Sequence, residues 1–205
     1  MITIVDYGTS NLGSMQNMLK KIGASSKIAA SPQDLEDATK IIVPGVGSFD
    51  AGMKKLKQSG MIPALNKKAI VERVPTLGVC LGMQLMTESS EEGELPGLSW
   101  IEARTVRFDQ SLDPNLKVPH MGWNEVSPAK PSAFTAQFPL RARFYFAHSF
   151  HVMCRSAEDV LLTFAYGANI YAAAFQRGNL MGAQFHPEKS HRFGMTFLKN
   201  FVEQF

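Results

Sequence analysis

Residues 74–90 change period in the middle of the stretch. Thr76, Leu77 and Val79 have the apolar, extended character of a buried strand, whereas Leu81, Leu85 and Met86 recur at helical spacing, so Cys80 falls on the turn between strand and helix. Gly78 and Gly82 flank that turn and leave room for it. A Gly-x-Cys-x-Gly frame at a strand-to-helix switch reads as a nucleophile elbow, which commits the chain to a sheet whose carboxyl edge presents one side chain. The helix after Cys80 would aim its first amides at the sulfur and favour the thiolate. Most free cysteines are inert core residues, so a base elsewhere in the chain has to decide the matter.

The first ~90 residues alternate strand and helix. Ile2 to Val5 reads as a strand; Ser10 or Asn11 caps a helix with the stripe Leu12, Met15, Leu19 and Ile22, and Gly23 stops it. Ser26 to Ala30 is a second strand, followed by Ser31-Pro32 in N-cap and first-turn positions. Lys40 to Val43 is a third strand, and helices at 49–58 and 61–72 lead to the elbow. From Trp100 onward the pattern is strand-like, at 101–108, 123–127, 143–147, 150–154, 160–165, 170–176 and 180–185, with Arg177-Gly178-Asn179 as a hairpin turn. Residues 108–122 and 128–142 read as loops, and Ser190 opens a closing helix carrying Phe193, Phe197 and Phe201. The expected class is α/β: a central, mostly parallel sheet flanked by helices, with an antiparallel extension in the C-terminal half, forming a single domain over residues 1–205.

Composition narrows the partners. Two cysteines in 205 residues, with no basic leader and no long apolar run, place the chain in the cytoplasm, away from membranes. Its formal charge of +3 is spread rather than gathered in a stripe, which gives no support to nucleic-acid binding. No metal or cofactor is expected.

The base sought for Cys80 lies in Gln184-Phe185-His186-Pro187-Glu188, at the end of the last strand. In an extended segment positions i and i+2 project to one side, so Glu188 can orient His186 towards the thiol, giving a nucleophile, a base and an orienter. Acyl chemistry also needs oxyanion donors. The amide of Leu81 is one candidate, and the turn Pro44-Gly45-Val46-Gly47 brings a second; it fits neither a dinucleotide nor a Walker loop.

Gly-Val-Cys-Leu-Gly-Met-Gln at 78–84, Pro-Gly-Val-Gly at 44–47 and Phe-His-Pro-Glu-Lys at 185–189 together resemble the class I, triad-type glutamine amidotransferases. Asp6-Tyr7-Gly8, the run Val118 to Asn124 and the run Tyr145 to Phe150 narrow the resemblance to the glutaminase subunits of imidazole glycerol phosphate synthases. The resemblance spans nearly the whole chain. It implies hydrolysis of L-glutamine to glutamate and ammonia through a thioester on Cys80, with His186 and Glu188 completing the triad. It further implies transfer of the ammonia, within a heterodimer, to a (β/α)8-barrel synthase subunit in histidine biosynthesis. By the same resemblance Gly45, Val46 and Gly47 line the oxyanion side, and Gln84, Glu92 and the backbone at Ser149 and Phe150 hold the glutamine. Phe150 stands where the family usually has tyrosine. Asn11, His120, Trp123, Tyr145 and Lys189 are assigned by it to the partner interface, although Trp123 after Gly122 reads equally well as core.

The tail Glu188 to Met195 is similar to paralogous subunits encoded with surface-polysaccharide genes, where the ammonia amidates a sugar, so the acceptor stays open between the two. A stand-alone cysteine hydrolase of the α/β-hydrolase type would share the elbow but not Gln84, nor an acid two residues after the histidine. A non-catalytic, partner-binding subunit would have no reason to fill all three triad positions.

Overall fold

In the computed structural model, residues 1–8, 12–111, 113–132, 134–135, 138–139 and 141–204 are described. The helix cap at Ser10 or Asn11, and Asn11 as a partner residue, fall outside them. The first half follows the expected alternation: β1 (Ile2–Val5), α1 (Leu12–Lys21), β2 (Ser26–Ala29), a 3-10 turn at Pro32–Leu35, β3 (Ile41–Gly45), α2 (Phe49–Gln58), α3 (Ile62–Asn66), β4 (Thr76–Cys80) and α4 (Leu81–Leu85). Two elements differ from the sequence reading. The expected helix at 61–72 is divided, because a π-helical turn over Lys67–Val71 follows α3. Strand β3 continues through Pro44 to Gly45 instead of stopping at Val43, which carries the glycine turn up to the end of β4, where Gly45 pairs with Cys80.

The second half comprises β5 (Ser89–Ser90), β6 (Ala103–Arg107), β7 (His120–Pro128), β8 (Arg143–His148), β9 (Phe150–Cys154), β10 (Val160–Tyr166), β11 (Asn169–Arg177), β12 (Leu180–Ala183) and the closing helix α5 (His191–Gln204). A nine-stranded sheet runs β2-β1-β3-β4-β12-β11-β10-β7-β8. It is parallel from β2 to β12 and antiparallel from there on. β11 and β12 form the expected hairpin, with Gly178 at φ +58°, the left-handed value a tight turn needs.

Parallel strands buried on both faces read as continuous apolar runs, and each residue then feeds one of two cores by its parity. Ile4, Leu77 and Val79 pack with Met15 of α1 and with Phe197 and Phe201 of α5. Val5, Val43 and Leu81 pack on the other face with Phe49 and Leu56 of α2. The short stop after Ser149 has a larger consequence than the sequence suggested. β9 leaves the main sheet and pairs with β6, which also takes β5, so the segments at 101–108 and 150–154 build a separate three-stranded sheet over the second core. Among the described residues, no helix is long and apolar enough to cross a membrane.

Candidate active site

The elbow is held from three sides. Cys80 has φ 54° and ψ −109°, a conformation that L residues rarely adopt and that survives only where the surroundings enforce it. β3 and β12 flank β4, with Gly45 paired to Cys80 and Ala183 to Val79. Across the turn, the backbone of α4 lies directly on its neighbours. A Cβ on Gly82 would stand 1.8 Å from the Val43 carbonyl oxygen, and one on Gly78 would stand 2.6 Å from the Gly82 oxygen. The Gly-x-Cys-x-Gly frame is therefore a requirement of close approach between backbones.

His186 follows β12 and is anchored to β8. Its amide donates to the Tyr145 carbonyl at 2.9 Å, while Ser190 Oγ donates to the His186 carbonyl at 2.6 Å and accepts from the Tyr145 amide at 3.0 Å. Parallel pairing of β12 with β4 then sets this histidine beside the cysteine. The imidazole is hydrogen-bonded to Cys80 and, through Nδ1 at 2.8 Å, to Glu188 Oε1. Pro187–Lys189 forms a 3-10 turn, so the acid reaches the base by curling back rather than by the extended i, i+2 geometry expected from the sequence. Burial alone would lower the affinity of His186 for a proton, but the hydrogen bonds to Cys80 and Glu188 prevail and raise its pKa to about 10. The imidazole is thus held in its protonated form beside the sulfur.

A cavity of about 380 Å³ opens in front of the sulfur. Val46, Gly47, Leu81 and Gln84 line it on the elbow side, and Glu92, Ser149, Phe150 and Lys189 line the rest. Gly47, at φ +109°, takes a backbone conformation open to glycine. Gly45 lies behind these residues as the buried strand partner of Cys80. Glu92 Oε2 accepts from the Phe49 amide at 2.8 Å, which ties the acidic loop from Glu88 to Glu94 to the start of α2. Gln84 Nε2 is committed to the Phe150 carbonyl at 3.2 Å and to Gln184 Oε1 at 3.1 Å, so any molecule in the cavity meets Gln84 through Oε1.

The residues assigned to the partner separate. Trp123 is 39% exposed, stacks on His191 with ring centroids 5.5 Å apart and lies 6.3 Å from Tyr145; Lys189 Nζ sits 5.7 Å over the Tyr145 ring. The core alternative for Trp123 therefore gives way to a surface position. His120 behaves in the opposite way. It is 4% exposed and lies among Phe146, Phe164 and Tyr166, with Nδ1 at 3.3 Å from His148 Nε2, so it sits beneath the surface. β7 starts at His120 rather than 123, and the added residues turn this side chain inward. Two side chains that the sequence reading passed over stand at the site: His148, which lines the cavity, and Gln184, whose Nε2 reaches Cys80 Sγ at 3.9 Å. Each lies two residues before an assigned residue, Phe150 and His186 respectively, and that spacing is the signal that points to them. Among the described residues, no group of His, Cys, Asp and Glu is arranged to hold a metal ion.

Comparison with known proteins agrees with the geometry. The family model described as glutamine amidotransferase class-I matches residues 3–205. The chain is 48% identical over 203 residues to imidazole glycerol phosphate synthase subunit HisH 2 of Pseudomonas aeruginosa, covering 99% of both chains. It is 48% identical over 204 residues to the subunit of the same name from Methanococcus maripaludis, covering 100% of both. Among solved structures, PurLQS of Thermotoga maritima superposes with a TM-score of 0.74 at 17% identity, over 99% of this chain and 97% of that one. That last likeness concerns the fold alone.

Proposed function

We propose, from the premise that the chain belongs to the class I glutamine amidotransferase family, that it is the glutaminase subunit of an imidazole glycerol phosphate synthase. The observation that carries this reading is the strained Cys80 hydrogen-bonded to a Glu188-oriented His186 at the mouth of a cavity of amino-acid size. Glutamine binds with its γ-carbonyl carbon against the sulfur, held by Gln84, Glu92 and the backbone at Ser149 and Phe150. The Cys80 thiolate attacks that carbon while the Leu81 amide and an amide of the Val46–Gly47 turn receive the developing oxyanion. The His186 imidazolium gives its proton to the leaving nitrogen, and ammonia departs as the carbon–nitrogen bond breaks. A γ-glutamyl thioester remains. Water, deprotonated by the now neutral His186, attacks the thioester, glutamate leaves and the thiolate returns.

The ammonia passes to a synthase subunit, a (β/α)8 barrel, in a heterodimer. Exposed apolar side chains at the cavity mouth support a partner there: Val46 is 48% and Met121 64% exposed, with Trp123 nearby. Trp123, Tyr145 and Lys189 belong to that interface. The names of the relatives favour the imidazole pathway over a surface-sugar acceptor. The free state of Cys80 and Cys154 supports the cytoplasm as the compartment.

The test is glutamate release by the assembled complex, with Cys80→Ala as the comparison. Release is expected to vanish in the variant, and equal rates would overturn the reading. The parent chain alone is expected to hydrolyse glutamine more slowly than the complex at saturating substrate.

A further inference from the structure

We propose that Gln184 is a positioning residue for the nucleophile: its side-chain amide donates to the Cys80 sulfur, and a polar chain of fixed direction behind it holds that amide in place. The inference rests on the glutaminase reading of Cys80 and adds to it a second donor, from a fully buried side chain.

Gln184 follows β12, is fully buried, and is pinned at its backbone, where its amide donates a hydrogen bond to the Ala173 carbonyl at 2.8 Å. An amide side chain can present either its oxygen or its nitrogen, so the direction has to come from its neighbours. Backbone carbonyls settle it, because they only accept. The Phe150 carbonyl receives Gln84 Nε2 at 3.2 Å and His148 Nδ1 at 2.7 Å. Gln84 Nε2, bound to that carbonyl, spends its other proton on Gln184 at 3.1 Å, which makes the facing Gln184 atom the oxygen. Gln184 Nε2 is then the atom 3.9 Å from Cys80 Sγ, within reach of a sulfur acceptor.

The chain also runs the other way from Phe150. With its proton on Nδ1, neutral His148 offers Nε2 as an acceptor to His120 Nδ1 at 3.3 Å. His120 Nε2 in turn accepts from Asn124 Nδ2 at 3.4 Å, and Asn124 Nδ2 is fixed by the Ala165 carbonyl at 2.8 Å. Both rings have to be neutral for this order to hold. Burial supplies the condition, lowering His120 to about 4 and His148 to about 3. The polarity of each link from Asn124 to the sulfur is therefore fixed, with the Phe150 carbonyl accepting from both sides, and reversing any of them sets two donors or two acceptors face to face.

A donor already aimed at the sulfur fixes the rotamer of the side chain and favours the charge without reorganisation. Once the thioester has formed the sulfur is a weaker acceptor, and when water expels it as thiolate the bond strengthens again. The titratable groups around Cys80 are His186 with Glu188 behind it, and across the cavity His148, Glu92 and Lys189.

The experiment uses the assembled complex and two variants, Gln184→Met and Gln184→Glu. The pH dependence of Cys80 alkylation by iodoacetamide is followed by peptide mass spectrometry, beside kcat and KM for glutamate release. With Gln184→Met the alkylation midpoint is expected to rise and kcat to fall roughly 10- to 100-fold, the worth of a hydrogen bond to a charged group, with KM nearly unchanged. Gln184→Glu, which faces the thiolate with a carboxylate, should raise the midpoint further. An unchanged midpoint in both folded variants, even with kcat reduced, assigns Gln184 to packing and overturns the proposal. If both fail to fold, Gln84→Leu removes the neighbour that sets the direction. A raised midpoint is expected there too, and an unchanged one counts against the proposal. An active Cys80→Ala complex would sink the glutaminase reading instead, leaving the alkylation result to stand by itself.

Discussion

Substituting Gly82 by alanine tests whether the elbow is built by close approach of backbones. The added Cβ would lie 1.8 Å from the Val43 carbonyl oxygen and 2.8 Å from its carbon. Ordinary contact starts well beyond 3 Å, so one element has to retreat by more than about 1 Å. β3 is held in the sheet by β1 on one side and β4 on the other, and the retreat therefore falls on α4. That helix carries the Leu81 amide and Gln84, both at the cavity. Overpacking of this kind costs about 1–3 kcal/mol, which a domain of ordinary stability of roughly 5–15 kcal/mol survives. The chemistry is less tolerant, because a displacement of about 1 Å in a catalytic group is worth roughly 100-fold in rate. We therefore expect Gly82→Ala to keep a cooperative urea transition, shifted to lower midpoint, while kcat/KM for glutamate release by the complex falls about 100-fold. Activity within about threefold of the parent, with an unchanged urea midpoint, would show that α4 does not depend on this contact.

Two further outcomes follow from the site. Since the folded-state pKa of His186 is raised from 6.5 to about 10, the unfolded chain binds fewer protons between those values. The stabilising contribution is then complete below pH 6.5 and is lost as the pH climbs towards about 10. Glu188→Gln removes one of the two raising partners, so its stability deficit should be largest near about pH 6 and shrink with rising pH in urea titrations. A deficit that grows with pH would contradict the assignment. At the surface, Trp123→Ala should weaken partner affinity by roughly 30-fold in calorimetry if this exposed ring is an interface anchor, and an unchanged Kd would remove it from the interface.

Much of the site was legible because its signals are local. The glycine frame around Cys80, the two-residue spacing of His186 and Glu188, and the switch from period 2 to period 3.6 are written in short stretches whose chemistry has few alternatives. The strands were found for the same reason, and eleven of the twelve among the described residues lie at positions marked by short apolar or alternating runs, the exception being Ser89–Ser90 in the acidic loop. Their partners were harder. Alternation in 150–154 marks a strand with two faces but does not say whether it extends the main sheet or, as it does, joins β6 in another. His120 illustrates the same limit: the family resemblance assigned it to an interface, but the start of β7 three residues earlier than expected buries it against Phe164 and His148.

By itself the sequence determined that this chain would raise a cysteine on a strand-to-helix turn and carry a histidine and an acid to match it, because steric and periodic demands act over a few residues. Only the tertiary structure decided that β12 would lie beside β4. That pairing joins residues more than a hundred positions apart, sets His186 and Gln184 against the sulfur, and leaves His120 to support the site from below. Pairing order is chosen by the burial of whole faces, a sum over the chain that no single segment records.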